Sequence, residues 1–91
     1  MSAPSVAILV LGRDTCQDTT AARAHLAARG TPFTYRNVEL DPAADALIRS
    51  HNDGERVTPT LLFGDPDRPS RVLVEPSAAE LDRAIEAAAG S

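Results

Sequence analysis

Two hydrophobic patterns occupy the first third of the chain. Residues 6–11 are continuously apolar, which is typical of a strand buried on both faces at the centre of a sheet. Residues 17–29 are rich in alanine and predict an amphipathic helix with three side chains on its inner face: Thr19, Ala22 and Leu26. Gly30, with Pro32 two residues later, is a typical helix stop. The chain therefore begins with a buried strand and a helix.

The middle of the chain repeats this arrangement. Residues 33–40 predict a second strand, but Phe33 and Tyr35 lie on one phase and Val38 and Leu40 on the other, so we expect a twist or bulge near Asn37. Asp41 and Pro42 form an N-cap and first turn. The second helix then has an apolar stripe and ends at residues 52–54; the stripe comprises Ala44, Leu47, Ile48 and His51.

The last third predicts a hairpin and a helix. Residues 60–63 and 71–75 are short apolar strands around a turn-rich loop at residues 64–70. Ser77 and Glu80 have the spacing of a capping box and open a last helix. Its predicted buried stripe comprises Ala78, Leu81, Ile85 and Ala88. The order is β-α-β-α-β-β-α, an α/β fold with a four-stranded mixed sheet and three helices, whose first two strands are parallel with a right-handed crossover.

Length and composition limit the function classes. Ninety-one residues fit a single domain, here residues 1–91 with a core at about 6–88. The net charge is −4, and the nine basic residues are scattered arginines, which disfavours nucleic-acid binding. No apolar run approaches the ~20 residues of a membrane helix. The start of the chain lacks a secretory pattern, so we expect a cytoplasmic protein; abundant Ala and absent Lys suggest a GC-rich bacterial genome.

The single cysteine is the first candidate for chemistry. Cys16 excludes an internal disulfide and a cysteine-based zinc site, and it lies where the first predicted helix begins. Free N–H groups and the helix dipole stabilise a thiolate there, and the thiolate is the nucleophile. The alternative is a small hydrophobic side chain packed inside, which the polar neighbours Thr15, Gln17 and Asp18 argue against. Asp18 disfavours the thiolate and Arg13 offsets it.

The second candidate is the segment before the third strand. Pro59 opens that strand, and a cis Thr58–Pro59 bond would leave the Thr58 backbone open to an extended ligand. On base rates alone an ordinary trans bond is favoured, because only about 5–6% of bonds before proline are cis.

Four stretches together resemble the glutaredoxin family, most closely its mycoredoxin-type members. Residues 16–19 occupy the place of the family's C-x-x-C. Residues 41–44 and 52–60 resemble its D-P-x-A and N-x-G-x-R-x-V-P-T segments, and residues 75–81 resemble its N-P-S-x-x-E-[VL] segment. The resemblance spans about residues 6–88. It implies a thioredoxin-like fold, an active-site cysteine between the first strand and helix, and a cis proline at Pro59.

Departures from the family pattern refine this expectation. Thr19 replaces the resolving cysteine, and Thr15 replaces a usual aromatic residue. Pro76, Ser77 and Ala79 stand where glutathione-type members have a glycine pair and an aspartate, which favours another small thiol such as mycothiol. The C-G-F-S motif of cluster-carrying members is absent from residues 16–19. The resemblance thus implies a monothiol oxidoreductase; the alternatives are a redox-inactive binding module of the same fold and, less favoured, an iron–sulfur cluster carrier.

The monothiol hypothesis assigns roles to individual residues. Cys16 is the nucleophile and Thr19 donates its hydroxyl to the thiolate. The expected small-thiol or substrate-binding residues are Arg13, Thr15, Gln17, Arg56, Thr58, Pro59 and Ser77. We expect no metal and no organic cofactor, because a low-molecular-weight thiol acts as co-substrate. The expected partners are that thiol and protein mixed disulfides, with neither nucleic acid nor a membrane.

Overall fold

The computed structural model describes residues 7–89, and these form the seven elements in the order that the sequence predicts. Their bounds are β1 Ile8–Gly12, α1 Gln17–Ala28, β2 Thr34–Asn37, α2 Pro42–Ser50, β3 Thr60–Asp65, β4 Arg68–Val74 and α3 Ala78–Ala89. Of the predicted first strand, Val6 lies outside the described residues, and Ala7 is exposed and precedes β1 instead of being buried in it. Within the described range, no helix is both long and apolar enough to cross a bilayer.

The four strands form one mixed sheet in the order β2-β1-β3-β4. β1 pairs in parallel with β2 and antiparallel with β3, and β3 pairs antiparallel with β4. All five residues of β1 are buried, because this central strand is covered on both faces. The predicted α/β architecture is therefore confirmed.

Side chains alternate between two cores along β1. Val10 packs with α1 and α3 on one face of the sheet, together with Leu26, Phe63 and Leu81. Leu9 and Leu11 pack on the other face with residues of α2 such as Ile48. The alternation follows from the two-residue period of a strand. The sheet is thus enclosed by two helices on one face and one on the other.

The predicted second strand is wrong beyond Asn37, and the change of phase marks a turn instead of a bulge. The Asn37 side-chain oxygen accepts a hydrogen bond from the Glu39 N–H at 2.8 Å, and the Asn37 carbonyl accepts one from the Leu40 N–H at 3.1 Å. Local bonds of this kind compete with a strand ladder. Val38 remains buried, whereas Leu40 is 79% exposed.

The hairpin is confirmed, but its predicted loop is too long. β3 continues to Asp65 and β4 begins at Arg68, so residues 66–67 alone make the turn. Gly64 has φ of 90° beside a register shift at Phe63/Gly64, a conformation that glycine adopts without strain. This irregularity lets the two strands continue pairing past the point where the sequence predicts a loop.

The end of α1 and the start of α3 agree with their predicted signals, whereas α2 ends at Ser50, before the predicted residues 52–54, and His51 is its C-cap residue. α1 ends at Ala28, one residue earlier than predicted, and Gly30 follows in the left-handed region with φ of 69°. At α3, Ser77 Oγ accepts a hydrogen bond from the Glu80 N–H and Glu80 accepts one from the Ser77 N–H, which confirms the capping box. The stripe on α3 needs one correction: Ala78 is exposed, and Ala84 is buried between Leu81 and Ile85.

Candidate functional site

Cys16 is the N-cap residue of α1. Its backbone is extended, with φ of −89° and ψ of 118°, and within residues 7–89 its side chain makes no capping hydrogen bond. Its carbonyl accepts the Thr20 N–H at 3.1 Å, so the helix begins directly behind the thiol. The side chain is partly exposed. This places an accessible sulfur at the positive end of a twelve-residue helix, as the sequence predicts.

The Thr58–Pro59 loop faces this thiol. The Thr58–Pro59 bond is cis, which confirms the expectation drawn from the family resemblance. Cys16 Sγ donates a hydrogen bond to the Thr58 carbonyl at 3.7 Å. Pro59 is buried, and its own carbonyl accepts the Glu75 N–H at 2.9 Å, which ties this loop to the end of β4. The loop is therefore held against Cys16 from behind.

Arg13 connects the two sides of the site. Its Nε donates to Thr58 Oγ1 at 3.4 Å, and its Nη1 donates to Thr15 Oγ1 at 3.3 Å. Five residues that the sequence nominates therefore come together at one place: Arg13, Thr15, Cys16, Thr58 and Pro59. With Thr58 Oγ1 accepting from Arg13, its own hydrogen remains available for the sulfur.

Thr19 lies directly behind Cys16 and is fully buried. Among the described residues, its Oγ1 has no hydrogen-bond partner. Gly12 at the end of β1 allows this close packing, because a Cβ at Gly12 would lie 2.5 Å from Thr19 Oγ1 and Cγ2. A buried hydroxyl without a hydrogen-bond partner is energetically costly. The thiolate form of Cys16 is a better acceptor for this hydroxyl than the thiol form, so the hydroxyl favours the thiolate.

The surroundings favour the thiolate overall. Burial raises the pKa of Cys16. Hydrogen bonds from the hydroxyls of Thr19 and Thr58 and from the backbone N–H groups of Thr19 and Asp18 together lower it by more, so the pKa lies below the ordinary value. The shift has two sources: side chains that the fold brings together, and the free N–H groups of the helix start. The site thus holds a half-exposed nucleophile with hydrogen-bond donors aimed at its charged form.

Three nominated residues are engaged elsewhere or stand apart. Arg56 Nε pairs with Asp45 of α2 at 2.8 Å, and this contact lowers the pKa of Asp45. The Ser77 hydroxyl caps α3. Gln17 is exposed and makes none of the side-chain hydrogen bonds found in residues 7–89. Their proposed binding roles remain predictions.

Sequence reasoning missed a cluster of Asp14, Arg23 and Tyr35, in which Tyr35 holds Asp14, two residues before Cys16. The Tyr35 hydroxyl on β2 donates to Asp14 Oδ1 at 2.8 Å, and the Arg23 guanidinium lies 3.8 Å from the centre of the Tyr35 ring. Burial and the contact with Asp14 raise the pKa of Tyr35 to about 12. Residues so far apart in sequence carry no signal of this contact; only the parallel pairing of β1 and β2 brings them together.

Within residues 7–89, no three His, Cys, Asp or Glu side chains are grouped to hold a metal ion.

Comparisons with known proteins identify the fold. No family model and no curated protein matches the sequence. A solved structure of a variant of a thioredoxin-like protein is similar at a TM-score of 0.69 and 20% identity, covering 84% of this chain and 95% of that one. A second comes from a study of thiol resolution in a yeast mitochondrial 1-Cys peroxiredoxin via glutathione/thioredoxin systems, at a TM-score of 0.65 and 15% identity, covering 90% of this chain and 77% of that one. The chain therefore has a thioredoxin-like fold, with Cys16 between β1 and α1.

Proposed function

We propose that the chain is a monothiol thiol–disulfide oxidoreductase that removes a low-molecular-weight thiol, of the mycothiol or glutathione type, from protein mixed disulfides through Cys16. The observation that carries the proposal is the thiol itself: half exposed at the start of α1, with a lowered pKa and the Thr58–Pro59 loop beside it. The thioredoxin-like fold supports the same proposal, because one similar structure is that of a thioredoxin-like protein and another comes from a study of thiol resolution.

The first step transfers the small thiol to the enzyme. The Cys16 thiolate attacks the small-thiol sulfur of the mixed disulfide, a new S–S bond forms to Cys16, and the protein sulfur leaves as a thiolate that takes a proton from water. The protein sulfur is reduced, and Cys16 is held in a disulfide with the small thiol. The lowered pKa of Cys16 serves this step, because it raises the fraction of thiolate at neutral pH.

The second step regenerates the enzyme. A second small thiol, as its thiolate, attacks the small-thiol sulfur bound to Cys16, and Cys16 leaves as a thiolate. The products are the symmetric small disulfide and free Cys16, so the co-substrate supplies both electrons. One cysteine is enough for this cycle, and the proposal requires neither a metal nor an organic cofactor.

Thr19 and Thr58 act on the sulfur as donors. Among the described residues, Thr19 Oγ1 is buried beside Cys16 without another partner, so its O–H can donate a hydrogen bond to the thiolate both when it attacks and when it leaves. Thr58 Oγ1 accepts from Arg13 Nε, which polarises its own O–H toward Cys16. Arg13 therefore positions Thr58 instead of touching the sulfur.

Arg56 can bind the small thiol only if its present contact with Asp45 changes. For Arg56 to hold a carboxylate of the small thiol, it must release Asp45 or share it with Arg49, whose Nε also contacts Asp45 at 3.0 Å. Because Arg49 can keep Asp45 paired, Arg56 remains our proposed anion contact. Ser77 and Gln17 complete the proposed binding surface at the starts of α3 and α1.

The test uses a target protein carrying a single cysteine blocked with glutathione or with mycothiol. Release of the target thiol and mass spectrometry of the Cys16 adduct are followed with and without the free small thiol. We expect a transient Cys16 adduct and turnover only when the free thiol is present. An adduct that forms but is never released favours the binding-module alternative, and the absence of any adduct with either thiol overturns the proposal.

A further inference from the structure

A groove of about 100 Å³ lies between α1 and the start of α3. Asp18 and Ala21 line it on α1, and Pro76 and Ala78 line it on the opposite side. Asp18 is two residues after Cys16. Pro76 follows Glu75, whose N–H donates to the Pro59 carbonyl at 2.9 Å. Cys16 and the Thr58–Pro59 loop do not line the groove, but its Asp18–Pro76 end lies on the side of the groove nearest to them.

Two carboxylates belong to this end of the groove: Asp18 lines it, and Glu75 precedes the lining residue Pro76 in the chain. Asp18 and Glu75 are exposed, and neither has an ion-pair partner within residues 7–89. Arg13, the cation nearest in sequence to Cys16, bonds to Thr15 and Thr58, neither of which lines the groove.

The other ionisable groups at the groove are balanced within the fold. His25 lines it, but its Nε2 contacts Asp82 Oδ1 at 2.7 Å, and Arg29 contacts the same oxygen at 2.6 Å. Arg29 also lies 4.0 Å from Glu86. Arg13 likewise has no ion-pair partner within residues 7–89, so two unpaired carboxylates against one unpaired guanidinium leave the charge near this end of the groove negative.

The size of the groove limits its occupant. A cavity needs about 10–15 Å³ of such volume to hold one water molecule, so the groove has room for a tail of several heavy atoms. Sites for drug-sized ligands are roughly 300–1,000 Å³, so a tripeptide thiol would extend beyond it. A short tail attached to the sulfur bound at Cys16 is the occupant that fits.

We propose that this groove selects the small thiol by charge, taking the short ammonium-bearing tail of an aminothiol in preference to a carboxylated tail. The inference rests on the proposed function and narrows its substrate class. A positive tail gains attraction from Asp18 and Glu75, a neutral tail gains nothing, and a carboxylate is repelled. Among tails short enough to remain in the groove, reactivity therefore follows the order cationic, neutral, anionic.

The test uses three symmetric disulfides of similar size: cystamine, 2-hydroxyethyl disulfide and 3,3′-dithiodipropionate. In each case the Cys16 thiolate attacks one sulfur, a mixed disulfide forms on Cys16, and one small thiolate leaves. Adduct formation is timed by mass spectrometry at one pH and low ionic strength. We expect the cationic disulfide to react about fivefold faster than the anionic one, the factor that ~1 kcal/mol represents. Salt should reduce this ratio.

Asp18→Asn and Glu75→Gln should each lower the ratio of the cationic to the anionic rate. The ratio is the deciding quantity, because a changed pKa of Cys16 alters all three rates together. Asp67→Asn is the matched control: Asp67 is also exposed, but it lies in the turn beyond the far end of β3, six residues or ~20 Å from the Pro59 end. The ratio of the cationic to the anionic rate in Asp67→Asn should equal that of the wild type.

The outcomes separate the two proposals. If Cys16 reacts with none of the disulfides, the proposed function fails. If it reacts with all three at similar rates, or if the ratio is the same in Asp18→Asn and Glu75→Gln as in the wild type, the exchange chemistry stands and selection by this groove is overturned.

Discussion

The starts of α1 and α2 use the same backbone geometry for different purposes. At α2, Asp41 Oδ1 accepts the Ala44 N–H at 3.1 Å, and Asp41 Oδ2 accepts a bond from Arg36 Nε at 2.8 Å. Pro42 follows at the first helical position. At α1, Cys16 has an extended N-cap backbone, as Asp41 does, but in the described part of the chain its side chain caps nothing.

The contrast shows where the fold forgoes local stability. The Arg36 guanidinium and the Ala44 N–H hold the pKa of Asp41 below its usual range, so this carboxylate is engaged entirely within the protein. The N–H groups at the start of α1 instead face a sulfur that is partly open to solvent, and they lower its pKa. At α2 the cap satisfies the free N–H groups and stabilises the fold. At α1 these groups stabilise an accessible thiolate instead.

Cys16→Ser tests this contrast most severely. Serine is a preferred N-cap, so we expect the variant to fold and its free energy of unfolding to rise by up to ~1 kcal/mol. A serine hydroxyl is not a thiolate, so small-thiol removal should fall below detection. Thermal unfolding and target-thiol release measure the two effects. Retained turnover would remove Cys16 from the mechanism.

Thr19→Cys should convert the site from one thiol to two. Thr19 is buried one turn beyond Cys16, at a separation that suits a disulfide, which needs Cα atoms about 4.4–6.8 Å apart. We expect an internal disulfide under mild oxidant and new reductase activity toward intramolecular disulfides, which the wild type should lack. Mass spectrometry after alkylation counts the free thiols.

Thr20→Cys is the control for that variant. Thr20 is the next residue of α1, but its side chain is exposed and points about 100° away around the helix. It should remain reduced. A Thr19→Cys chain that also remains reduced while Cys16 still reacts would show that residues 16 and 19 are not positioned as a redox pair.

Asp41→Ala should damage the other helix start and leave the chemistry intact. The variant loses the cap and the Arg36 contact, so we expect the Tm to fall by several degrees at pH 7 while the rate of Cys16 alkylation stays the same. Because the folded-state pKa of Asp41 is depressed, its contribution is present above the unfolded pKa of ~3.9 and is lost as pH falls through the folded value.

The pH dependence of the Tm provides the result that would contradict the Asp41→Ala prediction. The difference in Tm between wild type and variant should shrink below about pH 4. A difference that is constant from pH 7 to pH 3 would mean that the ionised carboxylate is not what stabilises the start of α2.

The sequence predicts the parts of this molecule that depend on neighbours along the chain. The apolar run of β1, the Asp41 cap, the Ser77–Glu80 capping box and the stop at Gly30 were all predicted from short segments and are confirmed. Each depends on hydrogen bonds or periodicity within about four residues. The cis bond at Pro59 was predicted only through the family resemblance, since its local sequence favours trans.

The parts that sequence reasoning missed depend on packing between distant segments. The groove that Asp18 and Pro76 line exists because α1 packs near the start of α3, and the hydrogen bond from Tyr35 to Asp14 needs β1 paired with β2. Arg56 was nominated for ligand binding because its segment resembles a family motif, and the structure pairs it with Asp45 across 11 residues. The sequence shows which side chains are charged, but it does not show which side chain each of them pairs with.

Thr19→Val separates the two sources of thiolate stabilisation at the start of α1. Valine keeps the shape of threonine and removes the hydroxyl, so the N–H groups of the helix start remain and one donor is lost. We expect the pKa of Cys16 to rise and its alkylation at pH 7 to slow several-fold, because less thiolate is present. Thr19→Ser, which keeps the hydroxyl, should stay close to the wild type.

The titration of Thr19→Val can be followed by thiolate absorbance with one sulfur contributing, because Cys16 is the single cysteine of the chain. Tyr35 is the single tyrosine, and its pKa is raised to about 12, so phenolate absorbance stays clear of the thiol transition. Equal transitions in wild type, Thr19→Val and Thr19→Ser would mean that the helix start alone lowers the pKa of Cys16. The buried hydroxyl of Thr19 would then have no part in the chemistry, and the difference between the two helix starts would reduce to which side chain occupies the cap.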